Sequence, residues 1–168
     1  MTHAAHTGAV AQAGAVQIDE IPPDHPDALA LIAGSEAELA ALYPPEHRLA
    51  FSPQELAAAK VRFCIARTRP ASGATLLGCG GVAPLSGYAE LKRVYVTPQA
   101  RGRGVAEALL RRLEAIARQL DLPVMRLETG HLSPAAIALY TRQGYVRIGP
   151  FGAYVENGSS LFMEKRLG

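Results

Sequence analysis

The amino-acid sequence predicts an α/β fold, a mixed sheet flanked by helices, and three observations carry that prediction. Strand-like runs joined by short turns follow one another over 61–68, 75–85 and 89–96. Two strand–helix–strand successions come next, through helices over 104–120 and from Ser133 to Gly144. The helix boundaries carry their own start and stop residues. Tight turns between strands give antiparallel pairs, whereas a helix between strands gives a right-handed crossover and parallel neighbours. The expectation is a single domain over 15–168, preceded by a disordered segment over 1–14 that is small, polar and aperiodic.

"VQIDEI" (16–21) alternates as a first strand, and "PDALALIAGSEAELAALY" (26–43) has apolar residues at helical spacing. "SPQELAAA" opens a second helix, with Ser52 as N-cap, Pro53 in the first position and Glu55 completing a capping box. "RPASGA" and "SGY" turn the chain between the next three strands. After the helix over 104–120 comes the strand "VMRLET" (124–129); Pro134 then starts a helix that Gly144 ends. "YVRIG" and "SSLFMEKRL" close the chain as strands.

With 168 residues, 49% hydrophobic and 19% charged, the chain reads as an ordinary globular protein. A net charge of +2 gives no general reason to bind nucleic acid or a membrane surface. No segment has the 18 uninterrupted apolar residues of a membrane helix, and the first 16 residues lack the pattern of a signal peptide. The expected location is cytoplasmic. Cys64 and Cys79 lie in apolar strands and read as buried thiols rather than nucleophiles. His3, His6, His25, His47 and His131 form no metal-ligand pattern, so no metal is expected.

The stretch "VYVTPQARGRGVAEALL" (94–110) runs from a strand, through Pro98, into an arginine–glycine loop and then directly into a helix. A helix N-terminus has unpaired N–H groups and a partial positive charge, so it attracts anions. Gly102 and Gly104 let the backbone approach a phosphate, and Arg101 and Arg103 add charge. A diphosphate across the N–H groups of 101–106 is the reading favoured over a solvated basic loop. The lysine-containing phosphate loop and the three-glycine dinucleotide fingerprint are both absent.

"QARGRG" (99–104) resembles the Q/R-x-x-G-x-G/A signature of the GNAT superfamily of acetyl-coenzyme A-dependent N-acetyltransferases. "AIALYTRQGY" (136–145) resembles its second signature, and the tail "GPFGAYVENGSSLFMEKRL" with "ELKRVYV" resembles the bacterial YsnE-like acetyltransferases. The resemblance spans 16–167. It implies acetyl-CoA as cosubstrate, with its pyrophosphate held by Arg101, Gly102, Arg103, Gly104, Val105 and Ala106. It also implies that the backbones of Val94, Tyr95 and Val96 pair with the pantetheine arm. Ser133 stands where the family often places an asparagine that contacts the coenzyme; it also reads as a helix N-cap.

Acetylating an amine requires its neutral form, which for an alkyl ammonium at pH 7 costs about 4.6 kcal/mol, against about 1 kcal/mol for an α-amino group. Glu90 matches the glutamate that serves as base in the histone-acetylating branch, and strand alternation would put it on one face with Lys92, Val94 and Val96. The alternative is an ion pair between Glu90 and Lys92 or Arg93. Tyr140 matches the tyrosine that many members place near the thioester sulfur, where a phenol can protonate a departing thiolate. His131 is a minor alternative base. The fold implies an acceptor pocket near Tyr43, His47, Arg48, Phe151, Tyr154 and Glu156. The resulting expectation is direct acetyl transfer to the amine of a small molecule or amino acid through a ternary complex. Transfer to a protein or peptide, or acyl-CoA binding without catalysis, are the alternatives. Homodimers are common in the family, and the sequence is neutral on this point.

Overall fold

The computed structural model describes residues 15–48, 52–69 and 73–168. The segment expected to be disordered, 1–14, and the centre of the "RPASGA" turn lie outside the described residues. Seven strands form one sheet: β1 (Val16–Glu20), β2 (Arg62–Thr68), β3 (Thr75–Leu85), β4 (Tyr88–Val96), β5 (Val124–Gly130), β6 (Val146–Ile148) and β7 (Ser160–Arg166). Among the described residues four α-helices accompany them: α1 (Pro26–Leu42), α2 (Pro53–Ala58), α3 (Val105–Gln119) and α4 (Pro134–Arg142). The sheet order is β1-β2-β3-β4-β5-β7-β6.

β1 to β4 pair antiparallel in sequence order; short turns join β2 to β3 and β3 to β4, whereas α1 and α2 lie between β1 and β2. The first crossover, through α3, makes β4 and β5 parallel neighbours. The second does not produce neighbours: β7 is inserted antiparallel between β5 and β6. β6 has only three residues, so β7, with seven partners on β5, takes the position beside it. Pattern alone carries no information about this competition for one sheet edge.

Strand alternation sends two sets of side chains to opposite faces. Cys64 and Ala66 join α3 and α4 in one core, while Phe63 and Ile65 join α1 and α2 in another. α3 presents Val105, Leu109, Leu110, Leu113 and Ile116 to the first core, all at most 1% exposed. Each such side chain contributes about 1.5–3 kcal/mol of burial free energy. α2 begins as expected, with the reciprocal Ser52–Glu55 capping box in place. Ser133 takes the N-cap position of α4 without its side chain bonding the helix, so that hydroxyl is not consumed by capping. Tyr145, the aromatic of the second signature, is 2% exposed and donates to the buried Glu114 carboxylate, which also holds Lys165 Nζ at 2.8 Å.

Two irregularities shape the centre of the sheet. First, β4 carries a bulge: Cys79 pairs with Tyr95 but Gly81 pairs with Lys92, so Gly80 alone opposes both Arg93 and Val94. Arg93 takes φ +55°, the left-handed region. A Cβ at Gly80 would stand 2.9 Å from Leu113 Cδ1, so glycine there lets α3 pack down onto the bulge. Second, β4 and β5 pair only through Ala89↔Met125 and Glu90↔Arg126, then separate.

Candidate active site

The separation of β4 from β5 opens a cleft of about 650 Å³. Its walls come from the C-terminal halves of β4 and β5, the start of α3, the length of α4 and the end of α1. Leu91 and Leu127, the first residues beyond the last β4–β5 pair, line it near the vertex. Pairing already ends at Glu90, which leaves a long strip of β4 backbone open to a ligand.

Alternation also identifies the groups on that strip. Thr97 N donates to Leu77 O in β3 at 2.9 Å, so its neighbour Val96 directs its own N–H and C=O the opposite way, towards the cleft. The Val96 carbonyl accepts from Arg101 Nε at 3.2 Å. Val94, Tyr95 and Val96 all line the cleft. The expectation that Glu90, Lys92, Val94 and Val96 share one face fails because of the bulge. One extra residue reverses the alternation, so Val94 and Val96 pack with Leu91 against the α3 core, while Tyr95 packs on the α1 side.

At the mouth, Gly102 and Gly104 take φ +72° and +75°, with open space where a Cβ would be. Gly104 is the N-cap of the 15-residue helix α3 and supplies no side-chain bond to it, so the first N–H groups of that helix are uncapped. Arg101, Gly102, Gly104, Val105 and Ala106 line the cleft, and Arg103 lies exposed in the same loop. Arg101 is also tied to Glu38 of α1, which anchors the loop to the opposite wall. This geometry fits a diphosphate: exposed N–H donors, a helix dipole and bulk-free glycines converge at one end of an elongated cleft.

Tyr140 lines the cleft from α4 and is 7% exposed, with its ring edge-on to Tyr145 at 5.6 Å. Burial, and secondarily the Glu128 carboxylate, raise its pKa well above that of an ordinary phenol. Ser133 lines the same wall. Glu90 is 5% exposed and is not among the residues lining the cleft. It accepts from Lys92 Nζ at 2.6 Å and from the Tyr154 hydroxyl, and Lys92 Nζ also reaches Tyr154 Oη at 3.1 Å. The ion-pair alternative for Glu90 therefore describes its surroundings.

Glu128 is not among the residues expected from the sequence. It lines the cleft from β5, and alternation against the buried Met125 and Leu127 directs it to the face that carries Glu90 and Lys92. Burial raises its carboxyl pKa; the Ser160 hydroxyl and Lys92 pull the other way, and Glu90 adds to the rise. Its only trace in the sequence is a lone carboxylate, with Arg126, on the polar side of an otherwise apolar strand.

The residues expected in the acceptor pocket divide into two groups. Tyr43 is 6% exposed and its hydroxyl accepts from Leu132 N at 2.7 Å; His47 Nδ1 lies 3.0 Å from Ser159 Oγ. Exposed His131 places Nδ1 2.9 Å from Ser159 O and does not line the cleft. These three residues clamp the end of α1 to β5 and β7, and neither Tyr43 nor His47 lines the cleft. Phe151 meets Tyr154 edge-on at 5.0 Å, both pack against Phe162, and Arg126 sits 4.5 Å over Tyr88 beside them. Glu156 is exposed in that loop, and Arg48, partly buried, follows His47. Among the described residues no cluster of three His, Cys, Asp or Glu side chains gathers.

Residues 29–145 match the acetyltransferase (GNAT) family. The chain belongs to the GNAT family. It is 43% identical over 139 residues to the IAA acetyltransferase of Azospirillum brasilense, covering 82% of this chain and 88% of that one. It is 29% identical over 127 residues to the N-acetyltransferase YsnE of Bacillus subtilis, covering 74% and 82%. A solved Klebsiella pneumoniae structure, assigned as an acyl-CoA N-acyltransferase, superposes with TM-score 0.75 at 39% identity over 91% of this chain and 98% of that one. The PaiA N-acetyltransferase of Thermoplasma acidophilum, solved with coenzyme A, shares the fold at TM-score 0.70 and 20% identity over 90% and 99%. This GNAT protein is thus an acyl-CoA-dependent acyltransferase. No described helix is long and apolar enough to cross a membrane.

Proposed function

We propose that this GNAT enzyme transfers the acetyl group of acetyl-CoA directly to the amine of a small molecule or amino acid in the cytoplasm. Glu128 acts as the general base and Tyr140 as the proton donor. One observation carries the reading: Glu128 and Tyr140 come from adjacent elements yet line the same opening between β4 and β5. A carboxyl with a raised pKa is suited to take a proton near neutrality, and a phenol whose pKa is raised still carries its proton there.

Glu128 takes a proton from the acceptor ammonium, directly or through water, and the free amine attacks the thioester carbonyl. The C–N bond forms, the C–S bond breaks, and the Tyr140 hydroxyl gives its proton to the departing sulfur. The nitrogen loses its second proton to solvent as the amide forms, solvent returns one to Tyr140, and Glu128 releases the proton it took. The raised pKa keeps Tyr140 protonated at neutral pH, so its proton is in place when the C–S bond breaks. Uncapped N–H groups at α3 and the cleft-facing N–H of Val96 hold the coenzyme arm, with Ser133 on the facing wall. Glu90 orients rather than abstracts, since Lys92 and Tyr154 occupy its carboxylate. Neither cysteine lines the cleft, which favours a ternary complex over an acyl-enzyme.

The test is coenzyme A release on a panel of amines, amino acids and peptides, for wild type, Tyr140→Phe and Glu128→Gln. An amine on the panel should drive release, and each substitution should cut kcat by about 10²–10⁴-fold, the usual contribution of a positioned acid or base. Turnover with peptides alone would move the acceptor to a protein. Full rates in both variants would remove the assigned roles.

A further inference from the structure

We infer that the closed end of the cleft restricts the acyl donor to acetyl, with Leu91 and Leu127 setting the limit. This inference rests on the acyl-CoA reading of the cleft. β4 and β5 stop pairing at Glu90↔Arg126, and Leu91 and Leu127 are the next residue on each strand. Both line the cleft, and both are core residues, 5% and 1% exposed. A group running along β4 from the glycine mouth reaches them where the strands converge.

On the α3 side of that point, Leu91 and Leu127 belong to one packed cluster with Leu139 and Tyr140. Protein interiors are close-packed, so a longer acyl chain could extend there only by displacing one of these side chains. On the other side stand Glu128, Lys92 and Glu90. An alkyl tail lying across them would strip water from charged groups without replacing its hydrogen bonds. A methyl group requires neither displacement, and a propyl group requires one or the other.

Calorimetric titration of the full chain with CoA, acetyl-CoA, propionyl-CoA and butyryl-CoA tests this without an acceptor. Wild type should bind butyryl-CoA at least tenfold more weakly than acetyl-CoA. Leu127→Val should bring propionyl-CoA within threefold of acetyl-CoA, and Leu127→Ala or Leu91→Ala should do the same for butyryl-CoA. CoA affinity and thermal melting identify variants that remain folded, and the Val variant removes only one methylene should the Ala variants melt. Equal wild-type affinities for acetyl- and butyryl-CoA would overturn the inference. So would folded variants that keep the wild-type discrimination. Failure of CoA itself to bind would instead overturn the cofactor reading beneath it.

Discussion

Glu90 accepts a hydrogen bond from Tyr154, 64 residues later in the chain, while Lys92 Nζ stands 2.6 Å from the same carboxylate. Tyr154 is carried on the segment between β6 and β7, so this contact ties that segment to the centre of the sheet. Glu90→Gln retains an acceptor but loses the charge that Lys92 pairs with. The expected outcome is a raised KM for the acceptor with a smaller change in kcat. Glu128→Gln should show the reverse split, measured in the same steady-state assay.

Glu128 also makes a prediction about pH. Its folded-state pKa lies above the usual carboxylate value, and the base must be ionised to act. The acid limb of kcat/KM should therefore fall at a higher pH than an unperturbed glutamate would give, and should vanish in Glu128→Gln. For stability the sign is opposite. A carboxyl with a raised folded pKa stabilises the fold below its unfolded pKa and loses that contribution as pH rises through the folded value. Glu128→Gln should then melt no lower than wild type at pH 8, and relatively lower near pH 4. Melting curves at the two pH values check this.

Gly130, at the end of β5, lies under the Tyr43 ring, and a Cβ there would overlap the tyrosine hydroxyl. Gly130→Ala must push Tyr43 aside and break its bond to Leu132 N. Losing a bond of this kind costs about 0.5–1.5 kcal/mol, with overpacking adding about 1–3 kcal/mol. The melting temperature should fall by several degrees. Tyr43→Ala in the same chain should cost less than the sum of the two single changes, as residues sharing one contact do.

Gly104 takes φ +75° with no atom near its missing Cβ. Gly104→Ala therefore meets no steric neighbour and pays only for the left-handed backbone, about 1–2 kcal/mol. Reshaping the α3 N-terminus should weaken CoA binding at least tenfold in titration, with little change in the acceptor KM.

Cys64 and Cys79 are 0% exposed, and burial pushes their thiols up to about 11 and about 12. A thiol reagent at pH 8 should leave the folded enzyme unlabelled and fully active, and should label both cysteines after denaturation. Rapid labelling with loss of activity would contradict the cysteine-free mechanism.

Local physics made most of this protein legible from its sequence. Ser52, Pro53 and Glu55 start α2 through contacts within four residues, and the Ser86–Gly87 turn sets the β3–β4 hairpin with no help from distant chain. The glycine mouth at 102–104 was readable for the same reason: a strand end, two glycines and a helix start are consecutive in the chain. Tyr140 was readable only through its family signature, because nothing local distinguishes a cleft tyrosine from a core one.

Tertiary structure alone decided the rest. The insertion of β7 between β5 and β6 is settled by which strand offers more partners, a competition across 30 residues of chain with no local signature. The bulge at Arg93 depends on Gly80 of the neighbouring strand and on Leu113 of α3, and it reversed the face on which Val94 and Val96 lie. Glu128 became a candidate base only once β5 had left β4, because burial and the charges of Glu90 and Lys92 set its proton affinity. Side-chain identity and short-range spacing are properties of the chain. Proton affinity and the side of a sheet that a residue faces are properties of what the fold brings beside it.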